Sequence, residues 1–296
     1  MKSILLLLFF TLQITLFGQR DFSAVEIKTT SITDNIHMLE GSGGNIAVFE
    51  GDDTALIIDN QFAPLTDKIK AAVSELTEHQ IKYVVNTHWH GDHTGGNENF
   101  GNDGAIIVSH ENVRKRLSTD QIMKAFNREV KAAPKAAWPQ ITFEETMQLH
   151  VNGEPLQMIH VHNAHTDGDA FVFFPESNVL HMGDCFFKGR FPFIDLGSGG
   201  SIDGAIQAVQ TALMLCNSGT TIIPGHGTLA KKSDLLSYYT MLATIKDRVI
   251  TGINKGMTIE ELKSADLTKG YEEWGTGFIN AERFIDTIWT DLNREG

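Results

Sequence analysis

Residues 87–96 read THWHGDHTGG, which sets His88, His90, Asp92 and His93 within six consecutive positions. Imidazole nitrogen and carboxylate oxygen are the donors that suit zinc and related divalent ions, and a catalytic zinc site keeps one position open for water. In an extended segment side chains alternate, so His88 and His90 point to one side and grip one ion together. Asp92 and His93, just past the strand end, turn toward a second ion about 3.5–4 Å from the first, the separation used in two-metal hydrolases. Gly91, Gly95 and Gly96 let the backbone approach an ion closely, which a histidine-rich surface loop would not need.

The strand that delivers this motif is Ile81–Asn86. Ahead of it, short apolar runs at 25–30, 36–40, 46–50 and 55–59 are separated by turn residues and read as an antiparallel meander. Pro64 opens a helix with Ile69, Ala72, Val73 and Leu76 on one face. After the motif come a strand at 105–108 and helices across 110–133 that stop before Pro134. The order then repeats, with strands near 147–151, 156–162, 170–174 and 178–182, a helix at 203–216, a strand at 220–223 and helices at 231–255, 258–264 and 278–292. In the last of these Phe278, Ala281, Ile285, Ile288 and Leu292 form one stripe. Two halves, each strands first and helices after, predict an α/β fold of two sheets packed face to face with helices outside.

The chain opens MKSILLLLFFTLQITLFGQR, a basic Lys2 followed by an interrupted apolar run and then Gly18. This reads as a signal peptide over residues 1–18; the run is too short for a comfortable membrane span, which needs roughly 20 apolar residues. Residues 19–296 are then one mature domain, periplasmic or secreted, with no stable membrane insertion. Of 296 residues, 37 are acidic and 24 basic, and cleavage moves the formal charge from −13 to −14. Phosphate binding needs a basic stripe and none is visible, so nucleic acid is disfavoured as a partner and a small-molecule substrate is expected. Cys185 and Cys216 are too few for a disulfide scaffold, and Cys216, ending an apolar helical pattern, reads as a buried small hydrophobe. Oligomeric state has no signature in the sequence.

Three later segments place ligand types just past strand ends: NAHTDGD around His165, HMGDCFF around Asp184 and IIPGHG around His226. With the first motif they make a set of seven, and here the chain resembles the metallo-β-lactamase superfamily, whose five signature segments occur in order across roughly residues 36–230. The resemblance implies a four-layer αββα sandwich with a dinuclear site at one edge of its sheets. It implies His88, His90 and His165 on one ion, Asp92, His93 and His226 on the other, Asp184 bridging, and Asp59 supporting the metal loop by hydrogen bonding. The full set looks more like the glyoxalase II, lactonase and phosphodiesterase branches than the true β-lactamases. Sliding GDCFFK by one residue would instead put Cys185 and Lys188 on the cysteine ligand and substrate lysine of cysteine-type β-lactamases. Asp184 is preferred, because an oxygen bridge suits two cations that share a water.

Among the remaining candidates, His160 and His162 share a strand face and are expected to be buried or to support ligands, and His181 to be structural. Trp89 either lines a pocket or packs under the loop. Phe186, Phe187, Lys188, Arg190, Phe191 and Phe193 either meet substrate or form a hydrophobic flap. The expected function is a secreted dinuclear zinc hydrolase, with manganese or iron as possible metals. A hydroxide shared by the two ions, its pKa brought from 15.7 toward about 7, would cleave a small ester, lactone, thioester or cyclic amide. Asp92 would be the catalytic residue that orients the water or relays its proton. β-Lactam hydrolysis is the leading alternative, and an iron-dependent oxidoreductase such as a persulfide dioxygenase is the second.

Overall fold

The computed structural model describes residues 21–294, and the expected signal peptide, residues 1–18, lies outside them. The first half builds a sheet from β1 (Lys28–Ser31), β2 (Ile36–Glu40), β3 (Ile46–Glu50) and β4 (Ala55–Ile58), each antiparallel to the one before. Helix α1 (Thr66–Ser74) then crosses over to β5 (Ile81–Asn86), which pairs parallel with β4. The short helices α2 (Gly91–Thr94) and α3 (Asn97–Asn102) lead to β6 (Ile106–His110), parallel to β5. Helix α4 (Glu111–Leu117) follows.

Beyond α4 the expected helices across 110–133 do not continue. Residues 121–130 are a hairpin of β7 (Gln121–Met123) and β8 (Arg128–Val130), its tip closed by Asn127 at φ 45°. Asn tolerates that left-handed conformation, which a helix interior cannot hold. The following β9 (Ile141–Phe143) adds a parallel edge to β6, giving seven strands in the order β1-β2-β3-β4-β5-β6-β9.

The second sheet comprises β10 (Thr146–Val151), β11 (Glu154–His160), β12 (Ala170–Phe174) and β13 (Val179–His181), all antiparallel. After helix α5 (Ile202–Leu215), β14 (Thr221–Ile223) pairs parallel with β13 at the edge. Helices α6 (Lys232–Asn254), α7 (Ile259–Ser264) and α8 (Ala281–Leu292) close the chain. Phe278 precedes α8 and is 59% exposed, so it does not share the buried stripe of Ile285 and Ile288. Asn280 caps α8 instead, accepting from the Arg283 N–H, and that fixes the start at Ala281, three residues later than expected.

Side-chain alternation sorts the strands into layers. Ala47, Phe49, Leu56 and Ile58 of the first sheet meet Leu156, Met158, Val172 and Phe174 of the second in one core. The opposite faces, Val48 and Ile57 in the first sheet and Phe171, Leu180 and Ile222 in the second, are covered by α1 and α3 and by α5, α6 and α8. The architecture is therefore α/β, a four-layer αββα sandwich. No helix among the described residues is long and apolar enough to cross a membrane.

Candidate metal centre

The strand β5 ends at Asn86, and residues 87–89 form a bend before the backbone is extended again at His90. His90 precedes α2, so the next turn carries Asp92 and His93. The other three candidates hang from the second sheet: His165 after β11, Asp184 after β13 and His226 after β14. Stitches across the sheets hold the two sets together. The Asn45 side-chain amide donates to the carbonyls of Pro224 and Gly227, and the Ala170 N–H donates to the Thr87 carbonyl.

All seven side chains converge, in two groups. His88, His90, His165 and Asp184 bring one donor atom each within 4.8 Å of one another, and Asp92, His93 and His226 do the same beside them. Asp184 spans the gap. Its Oδ2 lies 3.9 Å from His88 Nε2 and 3.6 Å from His165 Nε2, while its Oδ1 lies 3.1 Å from His93 Nε2 and 3.4 Å from His226 Nε2. Asp92 Oδ2 stands 3.4 Å from His226 Nε2.

The hydrogen bonds on the far side of four rings fix which nitrogen faces inward. Asp59 accepts from the Thr87 N–H at 2.8 Å, from Thr87 Oγ1 at 2.7 Å and from His93 Nδ1 at 2.7 Å. Because Thr87 Oγ1 gives its proton to Asp59, it accepts from His88 Nδ1 at 3.0 Å. His165 Nδ1 donates to the Phe193 carbonyl at 2.6 Å, and His90 Nε2 to Asp195 at 3.0 Å. These assignments leave His88 Nε2, His90 Nδ1 and His165 Nε2 as bare lone pairs and turn His93 Nε2 inward toward Asp184, where it must give up a proton before it can bind a metal. His90 Nδ1 and His165 Nε2 then face each other at 2.8 Å, an arrangement that calls for a cation between them.

Three buried atoms, His88 Nε2, His93 Nε2 and Asp184 Oδ1, have no hydrogen-bond partner. A buried polar atom left so is costly, and a divalent ion would satisfy all three. Nitrogen and oxygen donors in this number fit a metal. Histidines that ligate metals usually donate their outer N–H to a carboxylate or carbonyl, and Asp59, Asp195 and the Phe193 carbonyl stand in those positions behind His93, His90 and His165.

The charges divide the site. Burial, with neighbouring imidazoles, holds His88 well below the usual histidine range and His165 at about 4. These are neutral rings ready to donate. Burial also opposes charge on His93, but Asp184, Asp59 and Asp92 outweigh it and hold that ring well above its ordinary value. His226 is raised to about 9 against its burial by Asp184 and Asp92. Burial disfavours charge on both carboxylates as well, yet His93 and His226 hold Asp92 at about 2, and His226 and His93 keep Asp184 well below the carboxylate range. Positive charge is favoured around Asp184, so an ion entering there displaces protons.

Cys185 belongs to neither group; it is buried among apolar side chains, and burial pushes its thiol well up. Lys188 points away, donating to the Leu229 carbonyl at 2.6 Å and lying 3.6 Å from Asp234. His181 is structural, its Nδ1 accepting from the Gly183 N–H. His160 is half-buried and stacks on His110, ring centroids 3.8 Å apart. His162 departs from expectation: it is exposed and pairs with the exposed Glu145 at 3.3 Å, because β11 ends at His160 and the chain turns outward. Trp89 packs under the loop with Val113 and Met123.

A cavity of about 530 Å³ opens over the two groups, with His90, Asp92, Asp184 and His226 among its lining residues. The aromatic stretch after Asp184 splits between both expected roles. Phe186 packs on Tyr238 in the core, whereas Phe187 stacks on His226 at 7° and Phe193 lies against His90 and His165, both lining the cavity. Sequence reasoning missed Asp195, whose only mark is an acid in the apolar run RFPFIDLGS, with Ser198 three residues on as its partner. It also missed Met123, Phe126 and Arg128, because their hairpin reads locally as helix.

The family profile described as "Metallo-beta-lactamase superfamily" matches residues 39–226. A curated relative, "Beta-lactamase-like protein 2 homolog" of Caenorhabditis elegans, is 25% identical over 72% of this chain. The chain spans 65% of that relative's length. A metallo-beta-lactamase from Pontibacter korlensis superposes with a TM-score of 0.61 at 18% identity, over 74% of this chain and 99% of its own. The stereoselective inverting sec-alkylsulfatase Pisa1 from Pseudomonas sp. gives 0.65 at 16% identity, over 89% of this chain and 50% of its own. These likenesses carry the fold.

Proposed function

The chain belongs to the metallo-beta-lactamase superfamily, and from that premise we propose that it is a hydrolase holding two divalent ions, zinc in the first instance, and cleaving a small ester, lactone, thioester or cyclic amide. One observation carries this reading: four imidazoles, bonded outward, turn their second ring nitrogens inward on both sides of a carboxylate whose two oxygens face different groups. Ions held there would lower the pKa of a shared water toward about 7 and polarise the bond under attack.

The chain's own residues do the rest. His88, His90 and His165 would hold one ion, Asp92, His93 and His226 the other, with Asp184 between. Asp59 and Asp195 keep His93 and His90 in the tautomers that ligation needs. Both carboxylates line the cavity, and Asp92, 29% exposed against 6% for Asp184, is the more open of the two. It orients the attacking water, takes its proton and returns it to the leaving group. Phe187 and Phe193 shield the floor of the cavity from bulk water, which strengthens these charge interactions.

The test is a panel of nitrocefin, a carbapenem, a lactone, a thioester, a phosphodiester and a secondary alkyl sulfate, the last added because one structural neighbour is named as a sulfatase. Zinc-loaded protein is expected to turn over a carbonyl substrate, to lose that activity on chelation and to regain it with zinc. Asp92→Ala should cost at least about 10²-fold in kcat, the lower end of acid–base contributions. Full activity in a metal-replete Asp92→Ala protein would refute the role. Iron at stoichiometry with oxygen uptake would replace hydrolysis by oxidation.

We also propose export from the cytoplasm and a small-molecule partner, supported by the opening sequence and the acidic charge. N-terminal sequencing of protein from the cell envelope should find a start near residue 19; a mature start at Met1 would overturn it.

A further inference from the structure

We propose that the hairpin Gln121–Val130 and the segment before α8 form a second subsite in this cavity, one that selects substrates with a flat or bulky apolar body and a fixed anionic group. The inference rests on the hydrolase reading for the word substrate, but not for the binding itself. Three rings from three separate parts of the chain meet in the lining of this cavity. Phe126 of the hairpin tip, Phe193 and Phe278 have centroids 5.6, 5.8 and 6.1 Å apart. Phe126 is 45% and Phe278 59% exposed, placing them among the few large apolar side chains left open to water. Exposed rings gathered in the wall of a cavity mark a binding surface.

The second observation is charge. Arg128 of the hairpin and Arg190 both line this cavity. The other described arginines all donate to an oxygen: Arg116 to Asp167, Arg294 to Asp291, and Arg114, Arg248 and Arg283 to backbone carbonyls. Among the described residues the Arg128 guanidinium reaches only the Met123 thioether, at 3.3 Å, and the Arg190 guanidinium has no hydrogen-bond acceptor or ion-pair partner, its backbone N–H alone donating to the Phe187 carbonyl. Two guanidinium groups without an oxygen partner, lining the same cavity as a ring cluster in an acidic chain, match an organic anion. Lys188, the cation nearest in sequence, is tied to the Leu229 carbonyl and Asp234 and takes no part.

The hairpin is anchored at its base. Met123 is buried against Trp89 and Val113, and the Arg116 guanidinium lies 5.7 Å from the Trp89 ring centre. The reacting bond would sit over Asp92 and Asp184 while the apolar body rests on the three rings. The anion is then a recognition group, separate from the bond that breaks.

Isothermal titration of the zinc-loaded full chain with naphthalene-2-sulfonate, methyl 2-naphthyl sulfone and methanesulfonate tests this, sulfonate being a weak metal ligand. The aryl sulfonate is expected to bind at least tenfold tighter than either comparison. Arg128→Gln with Arg190→Gln should reduce it to the level of the neutral sulfone, and Phe126→Ala with Phe278→Ala toward that of methanesulfonate. Zinc content and the thermal midpoint check that these variants remain folded; should one double variant unfold, the salt dependence of wild-type binding and the remaining pair decide. Equal binding of sulfone and sulfonate, or variants that leave it unchanged, would overturn the subsite. If the aryl sulfonate binds as expected while no substrate in the panel is cleaved, the hydrolase reading falls and the subsite stands; if turnover is found with indifferent binding, the reverse holds.

Discussion

Replacing Asp59 by Asn removes one charge and almost no volume, at a carboxylate that is fully buried and joined to Thr87 and His93. The backbone is not a confounder, since Asp59 sits at φ 63° and Asn is as tolerant of that region as Asp. If the new side-chain oxygen keeps the Thr87 N–H, its NH₂ group must face Thr87 Oγ1 and His93 Nδ1. The imidazole then either opposes one N–H to another or changes tautomer, which puts a proton on Nε2, the atom turned toward Asp184. A hydrogen bond to a charged group contributes about 1.5–3 kcal/mol, equivalent to roughly 10- to 150-fold in an equilibrium constant. The measured range for partners that support metal ligands, about 10–100-fold, overlaps it. Competitive chelator titration should therefore show one ion weakened by one to two orders of magnitude, with the ion at His88, His90 and His165 bound nearly as before. Two dissociation constants within threefold of the wild type would refute the tautomer argument, and equal weakening of both ions would refute the division into two groups.

Gly44→Ala should abolish the second ion by a different route, because its Cβ would overlap the His93 ring, with Nδ1 only 2.6 Å away; overpacking of this kind costs about 1–3 kcal/mol, read as a lowered thermal midpoint together with lost metal. A normal midpoint with full metal content would show that the ring has room to move. Acid stability should depend on His160. Burial, helped by His110 and His162, pushes this ring down to about 4, below the ordinary value of about 6.5, so the folded chain binds fewer protons than the unfolded chain between those values. Stability should be full above pH 6.5 and fall as the pH drops toward 4, and His160→Gln, which keeps a donor for the Asp169 carbonyl, should lose less urea resistance between pH 7 and pH 5. An unchanged pH slope in the variant would dismiss this ring as a contributor.

The parts of the fold that were legible in the sequence are those where periodicity and burial agree. β3 and β12 alternate between two cores, so their apolar pattern is unmistakable. The seven ligand candidates were readable because each follows a strand end, where side chains of this chemistry have few structural uses. What escaped was decided by distant partners. QIMKAFNREV has helix-forming residues throughout, yet Met123 is held by Trp89 and Val113 from other segments, and a hairpin satisfies that contact. β9 has only three residues, too few for a period, and owes its place to pairing with β6. Asp195 lacks any spacing relative to His90, 105 positions earlier; only the folded chain brings them to 3.0 Å.

The ligand candidates come four from one sheet and three from the other. An ion seated there acts as a rivet through both slabs of the sandwich, so neither half of the polypeptide alone presents a usable donor set. Severing the chain near Pro134 should yield fragments whose reunion responds to added metal, and reactivity becomes a readout of complete assembly. A molecule with its slabs sheared by even a single strand register would lose that shared donor set, and with it any reactivity that depends on a bound ion.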